Sequence, residues 1–195
     1  MNLRSVNLNE QFAGIKEKVL SSVENYWGFV PPSLKETLRI NAYTLWKIPM
    51  IAFLSPRVMR ISDEVITIRL PLNYRSKNHL GSMYFGAMAV GADLVVGTMA
   101  MRFIQKLDQD IQIIFKDFKA EYFKRAEDDV YFTCEMGLEI AELVEKAATG
   151  EGRVHLPVEV YATVPSIFGK EHVAKFTLTL SLKSRHSKAV SEAAV

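Results

Sequence analysis

Residues 78–103 read Asn-His-Leu-Gly-Ser-Met-Tyr-Phe-Gly-Ala-Met-Ala-Val-Gly-Ala-Asp-Leu-Val-Val-Gly-Thr-Met-Ala-Met-Arg-Phe, and between positions 80 and 101 the only charged side chain is Asp93. A helix built from this run is apolar all round and has to be buried. About twenty uncharged residues are enough to cross a bilayer. Here, though, a carboxylate would sit near the middle, at a cost of about 2.5–3.5 kcal/mol on insertion scales. The four glycines in the run weaken a membrane span further. Because the flanking segments alternate like amphipathic strands, the chain predicts a helix wrapped by its own sheet, with Gly and Ala letting the backbone lie close to the strands. An integral membrane protein is the minor alternative.

Composition adds limits rather than a function. A chain of 195 residues can bury one good-sized core. Lys and Arg number 24 against 22 Asp and Glu, a net charge of +2, so no general field draws nucleic acid or an anionic membrane. The single cysteine, Cys134, has no internal disulfide partner, and the N-terminal residues lack the basic and apolar regions of a signal peptide. The expected location is the cytoplasm.

Residues 1–50 read as a helical extension and 51–195 as the main globular unit. Phe12, Ile15, Val19 and Val23 mark one face of a helix over residues 8–27, ended by Gly28 and the Pro31-Pro32 pair. Ser33 and Glu36 have the form of a capping box, and Leu34, Leu38 and Leu45 continue a second stripe. Neither helix concentrates the basic residues of a DNA reader. From Arg57 the period becomes two, with Ser62-Asp63-Glu64 as the turn of a hairpin. After the buried helix, Ile111, Ile113 and Phe115 share a face that Phe118, Ala120 and Tyr122 resume out of phase, which predicts a bulge near Asp117. Val130, Phe132, Cys134, Met136, Leu138 and Ile140 alternate as a strand, and residues 141–148 suit a short helix. Two further strands follow, over residues 154–164 and 174–182, and Pro157 pushes the first toward an edge or bulge. The layout is α+β: a mostly antiparallel curved sheet around one long central helix, which is how a hotdog fold reads from sequence.

Residues 78–93 resemble the active-site segment of hotdog thioesterases of the phenylacetyl-CoA type, whose pattern is Asn-Gly-His-Gly-x-x-His-Gly-Gly followed, after six intervening residues, by Asp. Asn78, Gly81, Gly86 and Asp93 keep their places in that pattern. His79 is displaced by one position, Tyr84 stands where the second His would be, and Phe85 replaces the first Gly of the pair. The order of elements over roughly residues 49–183 matches as well. The chain is also similar to a less characterised thioesterase-like hotdog family with extra N-terminal helices. The resemblance implies a homodimer, or a dimer of dimers, acting on acyl-CoA or a related thioester. It implies no cofactor other than the coenzyme A carried by the substrate, no metal, and no insertion into a membrane.

The residues support such chemistry independently. On a helix Gly86, Val90, Asp93 and Gly97 share one stripe, with Asp93 about 10 Å beyond Gly86, so one subunit cannot bring the two together. Ser82 is the expected N-cap, leaving the N–H groups of Tyr84, Phe85 and Gly86 free at the positive end of the helix, a ready oxyanion site. Two antiparallel helices across a dimer axis would set the N-terminus of one against the carboxylate of the other. Asp93 would then act as general base on water or as nucleophile, as the resemblance also implies. Gly86 is equally explained by tight helix-to-sheet packing, and His79 and Tyr84 by loop structure. Arg75 and Lys77, with Lys124 and Arg125, are candidates for the phosphates of coenzyme A or simply a solvated charged turn. Cys134 falls in an apolar alternation and belongs to the core, while His155, His172 and His186 show neither metal-ligand spacing nor a triad partner. The alternative function is a non-catalytic acyl-CoA binder on the same fold, with Asp93 satisfied by a hydroxyl or backbone partner.

Overall fold

The computed structural model describes residues 30–150 and 152–185. In chain order these form α1 (Pro32–Lys47), α2 (Pro49–Phe53), β1 (Arg57–Ile61), β2 (Ile66–Leu70), α3 (Phe85–Leu107), β3 (Ile111–Tyr122), β4 (Val130–Cys134), α4 (Gly137–Thr149), β5 (Val154–Thr163), α5 (Pro165–Phe168) and β6 (His172–Ser184). The helix expected over residues 8–27 lies outside the described residues. The six strands make one antiparallel sheet in the order β1-β2-β4-β5-β6-β3.

The period-two pattern explains the sheet's inner face. Ile66, Ile68 and Leu70 of β2, Phe132 of β4, Val158 and Val160 of β5 and Phe176, Leu180 and Leu182 of β6 are fully buried. They meet α3, which packs against β2, β3, β4, β5 and β6. Ala92, Val95, Val96, Met99 and Ala100 have no exposed surface. Thus α3 is long and apolar enough to cross a bilayer, but it is mostly buried inside this fold. The architecture is the hotdog fold.

Close approach of helix to sheet falls at Gly91. A Cβ built there would lie 2.4 Å from the Phe132 ring, and that ring is itself wedged 6.1 Å from Phe176. At Gly97 the same atom meets nothing within 4 Å. Replacing Gly91 with Ala is therefore expected to destabilise the protein by about 1–3 kcal/mol through overpacking. Gly97→Ala should instead be neutral or gain up to about 1 kcal/mol from helix propensity. Thermal unfolding of the two variants checks the opposite signs.

Several local expectations hold. The hairpin turns at Ser62, whose hydroxyl accepts the N–H groups of Glu64 and Val65. The β3 register shifts between Phe115 and Phe118. Pro157 sits where β5 pairs with β6 alone, since β4 reaches only Tyr161, Ala162 and Thr163.

Three expectations are corrected. The strand expected to run to Ile140 ends at Cys134, and α4 begins at Gly137. The Gly137 N–H donates to Glu64 O at 3.0 Å, and a Cβ there would lie 2.0 Å from Asp63 O, so the chain turns where glycine docks on the hairpin. Beyond it Ile140, Leu143, Val144 and Ala147 are buried at helical spacing, while Leu138 is exposed. On α1 the capping box does not form: the N-cap is Pro31, with no side-chain bond to the helix start. Finally, Leu34, Leu38 and Leu45 point outward, and the inward edge of α1 is Ile40 and Thr44. Thr37 fixes that orientation by accepting the Val58 N–H at 2.9 Å.

Candidate active site

Between β2 and α3 the chain runs through a loop held by its own polar side chains. Asn73 accepts Arg75 N–H at its side-chain oxygen, and the Ser76 hydroxyl donates to Pro71 O. Asn78 does the same work further on. Its side-chain oxygen accepts Leu80 N–H at 2.9 Å and its amide donates to Ser82 Oγ at 3.1 Å. Gly81 has φ +82°, the left-handed conformation that glycine adopts at no steric cost. Asn78 and Gly81 are thus accounted for by the shape of the loop, and His79 projects from it, exposed.

The helix start differs from expectation. Ser82 is engaged by Asn78 and does not cap; the N-cap is Tyr84, in extended backbone with no side-chain bond to the helix. The Tyr84 N–H donates to Ser76 O at 2.7 Å, so it is not a free donor. The N–H groups of Phe85 and Gly86 have no partner among the described residues, as first-turn amides of a helix do not. They lie at the positive end of a helix of 23 residues. Tyr84 packs its ring 4.6 Å from that of Phe85 and beside Gly86, where a Cβ would meet it at 2.5 Å. Both aromatic side chains are exposed.

Further along α3, the part that the sheet leaves uncovered is a single stripe: Gly86, Ala89, Val90, Asp93, Gly97, Thr98, Met101 and Arg102 are all half-buried. Asp93 has no hydrogen bond or ion pair among the described residues. Loss of water around it raises its carboxyl above the ordinary 3.8. An unpaired carboxylate with a raised pKa beside a cleft is what a general base looks like before substrate arrives.

The cleft is a groove of about 820 Å3 between α3 and α1. Asp93, Leu94, Gly97 and Met101 form its floor, Ile40 and Tyr43 of α1 its outer wall, and Ile113 and Phe115 of β3 its far side. Its distal end carries charge. Asp63 accepts from Arg102 at 3.0 Å and from Lys106 at 2.7 Å, and these cations hold its carboxyl below the ordinary range. Arg39 reaches Gln105 at 2.7 Å. Neither the groove nor this cluster was found from sequence, because the leucine stripe on α1 drew attention to its outer face. The spacing of Ile40 and Thr44 was the available signal.

The cations proposed for phosphate are mostly committed elsewhere. Arg75 donates to Phe53 O at 2.9 Å and lies over the Phe53 and Tyr74 rings. Lys124 pairs with Glu171 and covers Phe168. Arg125 pairs with Glu127 and donates to Leu80 O at 3.0 Å, which brings it to the loop of His79. Lys77 is exposed, with no side-chain partner among the described residues. Cys134 is core, its thiol pushed up to about 11 by burial. His172 stacks on Tyr161 at 4.5 Å.

A family profile described as a domain of unknown function, DUF4442, matches residues 37–180. No curated protein matches the sequence. Among solved structures, a candidate thioesterase from Shewanella oneidensis is similar at 17% identity and a TM-score of 0.63, covering 77% of this chain and 99% of its own. A Chlorobaculum tepidum protein of unknown function has a TM-score of 0.66 at 12% identity, covering 78% of this chain and 97% of its own. A point mutant of a thioesterase from Pseudomonas aeruginosa has a TM-score of 0.56 at 17% identity, covering 80% and 97%. At these identities the likeness establishes the fold.

Proposed function

The chain belongs to the DUF4442 family, and we propose that this protein hydrolyses acyl-CoA or a related acyl thioester as a homodimer or dimer of dimers, in the cytoplasm. The observation that carries the reading is Asp93: a carboxylate without a partner, with raised pKa, at the head of an apolar groove. The thioesterase names of similar structures point the same way.

The open edge of the sheet supports pairing. β1 is short and tied to α1 through Val58, whereas β3 is a strand of 12 residues at the other edge, with Ile114, Phe118 and Tyr122 exposed. Such an edge invites a second copy. A two-fold axis beside β3 sets the two α3 helices antiparallel and aims the Phe85 and Gly86 N–H groups of one at the Asp93 of the other. The thioester carbonyl then sits between them. Asp93 takes a proton from water, the hydroxide attacks the carbonyl carbon, and the oxyanion is held by the two amides. Collapse breaks the C–S bond, and the thiolate recovers the proton from Asp93. If Asp93 attacks directly, an acyl-aspartate forms first and water then cleaves it.

The test is release of free thiol from a broad acyl-CoA panel, with the oligomer measured by light scattering. Turnover by a dimer or tetramer is expected. Saturable acyl-CoA binding without turnover would make the protein a binder, and an active monomer would contradict the shared site.

A further inference from the structure

We infer that the groove between α1 and α3 measures the acyl chain, accepting an unbranched chain of about eight to twelve carbons, with its bore set at Gly97 and its end stopped by the Arg102–Asp63–Lys106 ion cluster. This rests on the thioesterase reading for its substrate and on the groove for its length.

Apart from the Thr98 hydroxyl the floor beyond Asp93 is apolar: Leu94, Gly97 and Met101 line the groove with Ile40, Ile113 and Phe115. Met101 lies about 12 Å past Asp93 at the helical rise. An extended alkyl chain, with bonds near 1.5 Å and angles near 111°, advances about 1.25 Å per carbon, so about ten carbons cover that length. Past Met101 the wall changes character. Arg102 and Lys106 both hold Asp63, and Arg39 is bonded to Gln105 and Glu36. A methylene pushed among these groups would strip their water and return no hydrogen bond, so a longer chain must bend back or leave its end in solvent. At Gly97 the absence of any atom within 4 Å of an added Cβ means that the groove's cross-section there is held open by a missing side chain. α1 is the opposite wall, which gives the N-terminal helical region a role in substrate choice.

The experiment compares kcat/KM for butanoyl- through hexadecanoyl-CoA in the parent, Gly97→Leu and Met101→Ala. The parent should peak between eight and twelve carbons. In Gly97→Leu the decanoyl-to-butanoyl ratio should fall at least about tenfold, since pockets discriminate methylenes on this scale, and Met101→Ala should move the peak toward longer chains by opening room for the chain end to bend back before the ion cluster. An unchanged length profile in both variants, with turnover intact, overturns the measuring groove and leaves the thioesterase reading standing. If the parent turns nothing over, calorimetric binding of S-decyl-CoA decides. Tight binding weakened at least about tenfold by Gly97→Leu upholds the groove without the hydrolase, and equal binding by parent and variant overturns the groove.

Discussion

Replacing Asp93 with Asn should lower thioester hydrolysis by at least about 100-fold while leaving the fold intact, because the amide can neither accept the proton of water nor attack the carbonyl. Asp93 makes no hydrogen bond or ion pair among the described residues, so the exchange removes no contact. Its raised pKa gives the prediction two further signs. In the parent, kcat/KM should climb with pH through a limb displaced above the ordinary Asp value of 3.8, since the base works only when ionised. Stability runs the other way. A carboxyl with a folded pKa above its unfolded one keeps its proton longer in the native state, so its contribution to stability falls as pH rises from the unfolded toward the folded pKa. Above that window Asp93→Asn should therefore melt higher than the parent, and below both pKa values the difference should vanish. Equal activity in parent and variant would remove Asp93 from the reaction. Loss of activity accompanied by a lower Tm at neutral pH would mean that the carboxylate serves packing instead.

The sequence carried the fold further than the site. An uncharged run too rich in Gly and Ala to make an amphipathic surface helix left few places for α3 except inside a sheet, and period two with one phase slip at Asp117 described β3 correctly. Pattern misled where two periods coincide. Positions 134, 136, 138 and 140 alternate, yet 140, 143, 144 and 147 also make a helical stripe, and a docking glycine at 137 decided between them. It misled again on α1, whose three leucines form an apolar stripe on the outer face, while Ile40 and Thr44 do the inward packing. Asp93 was legible because a lone charge in an apolar run has to be explained. Ser82 was misread as a cap because Asn78, four residues earlier, competes for its hydroxyl, a local contact that no periodicity reports. The groove was invisible because it is made by α1, α3 and β3 together, segments joined only by the tertiary fold.

The second large effect concerns how two chains share one site, and it is the direct test of the account. Gly86→Val should abolish activity by forcing a branched side chain between the helix-start amides and the Tyr84 ring, which already stands 2.5 Å from the place of a Cβ. That ring is exposed and can move, so the chain should still fold. Paired with an Asp93→Asn chain, the Gly86→Val chain contributes its intact Asp93 to a site whose amides come from the other chain's intact helix start. Both lesions then fall in the remaining site. The measurement is thiol release after the two inactive proteins are mixed and subunit exchange is verified by mass. Equal mixing makes about half of the dimers mixed, each with one whole site, so roughly a quarter of the parent rate should return. If exchange is complete and no activity returns, Asp93 and the partner's helix N-terminus do not form a common active site.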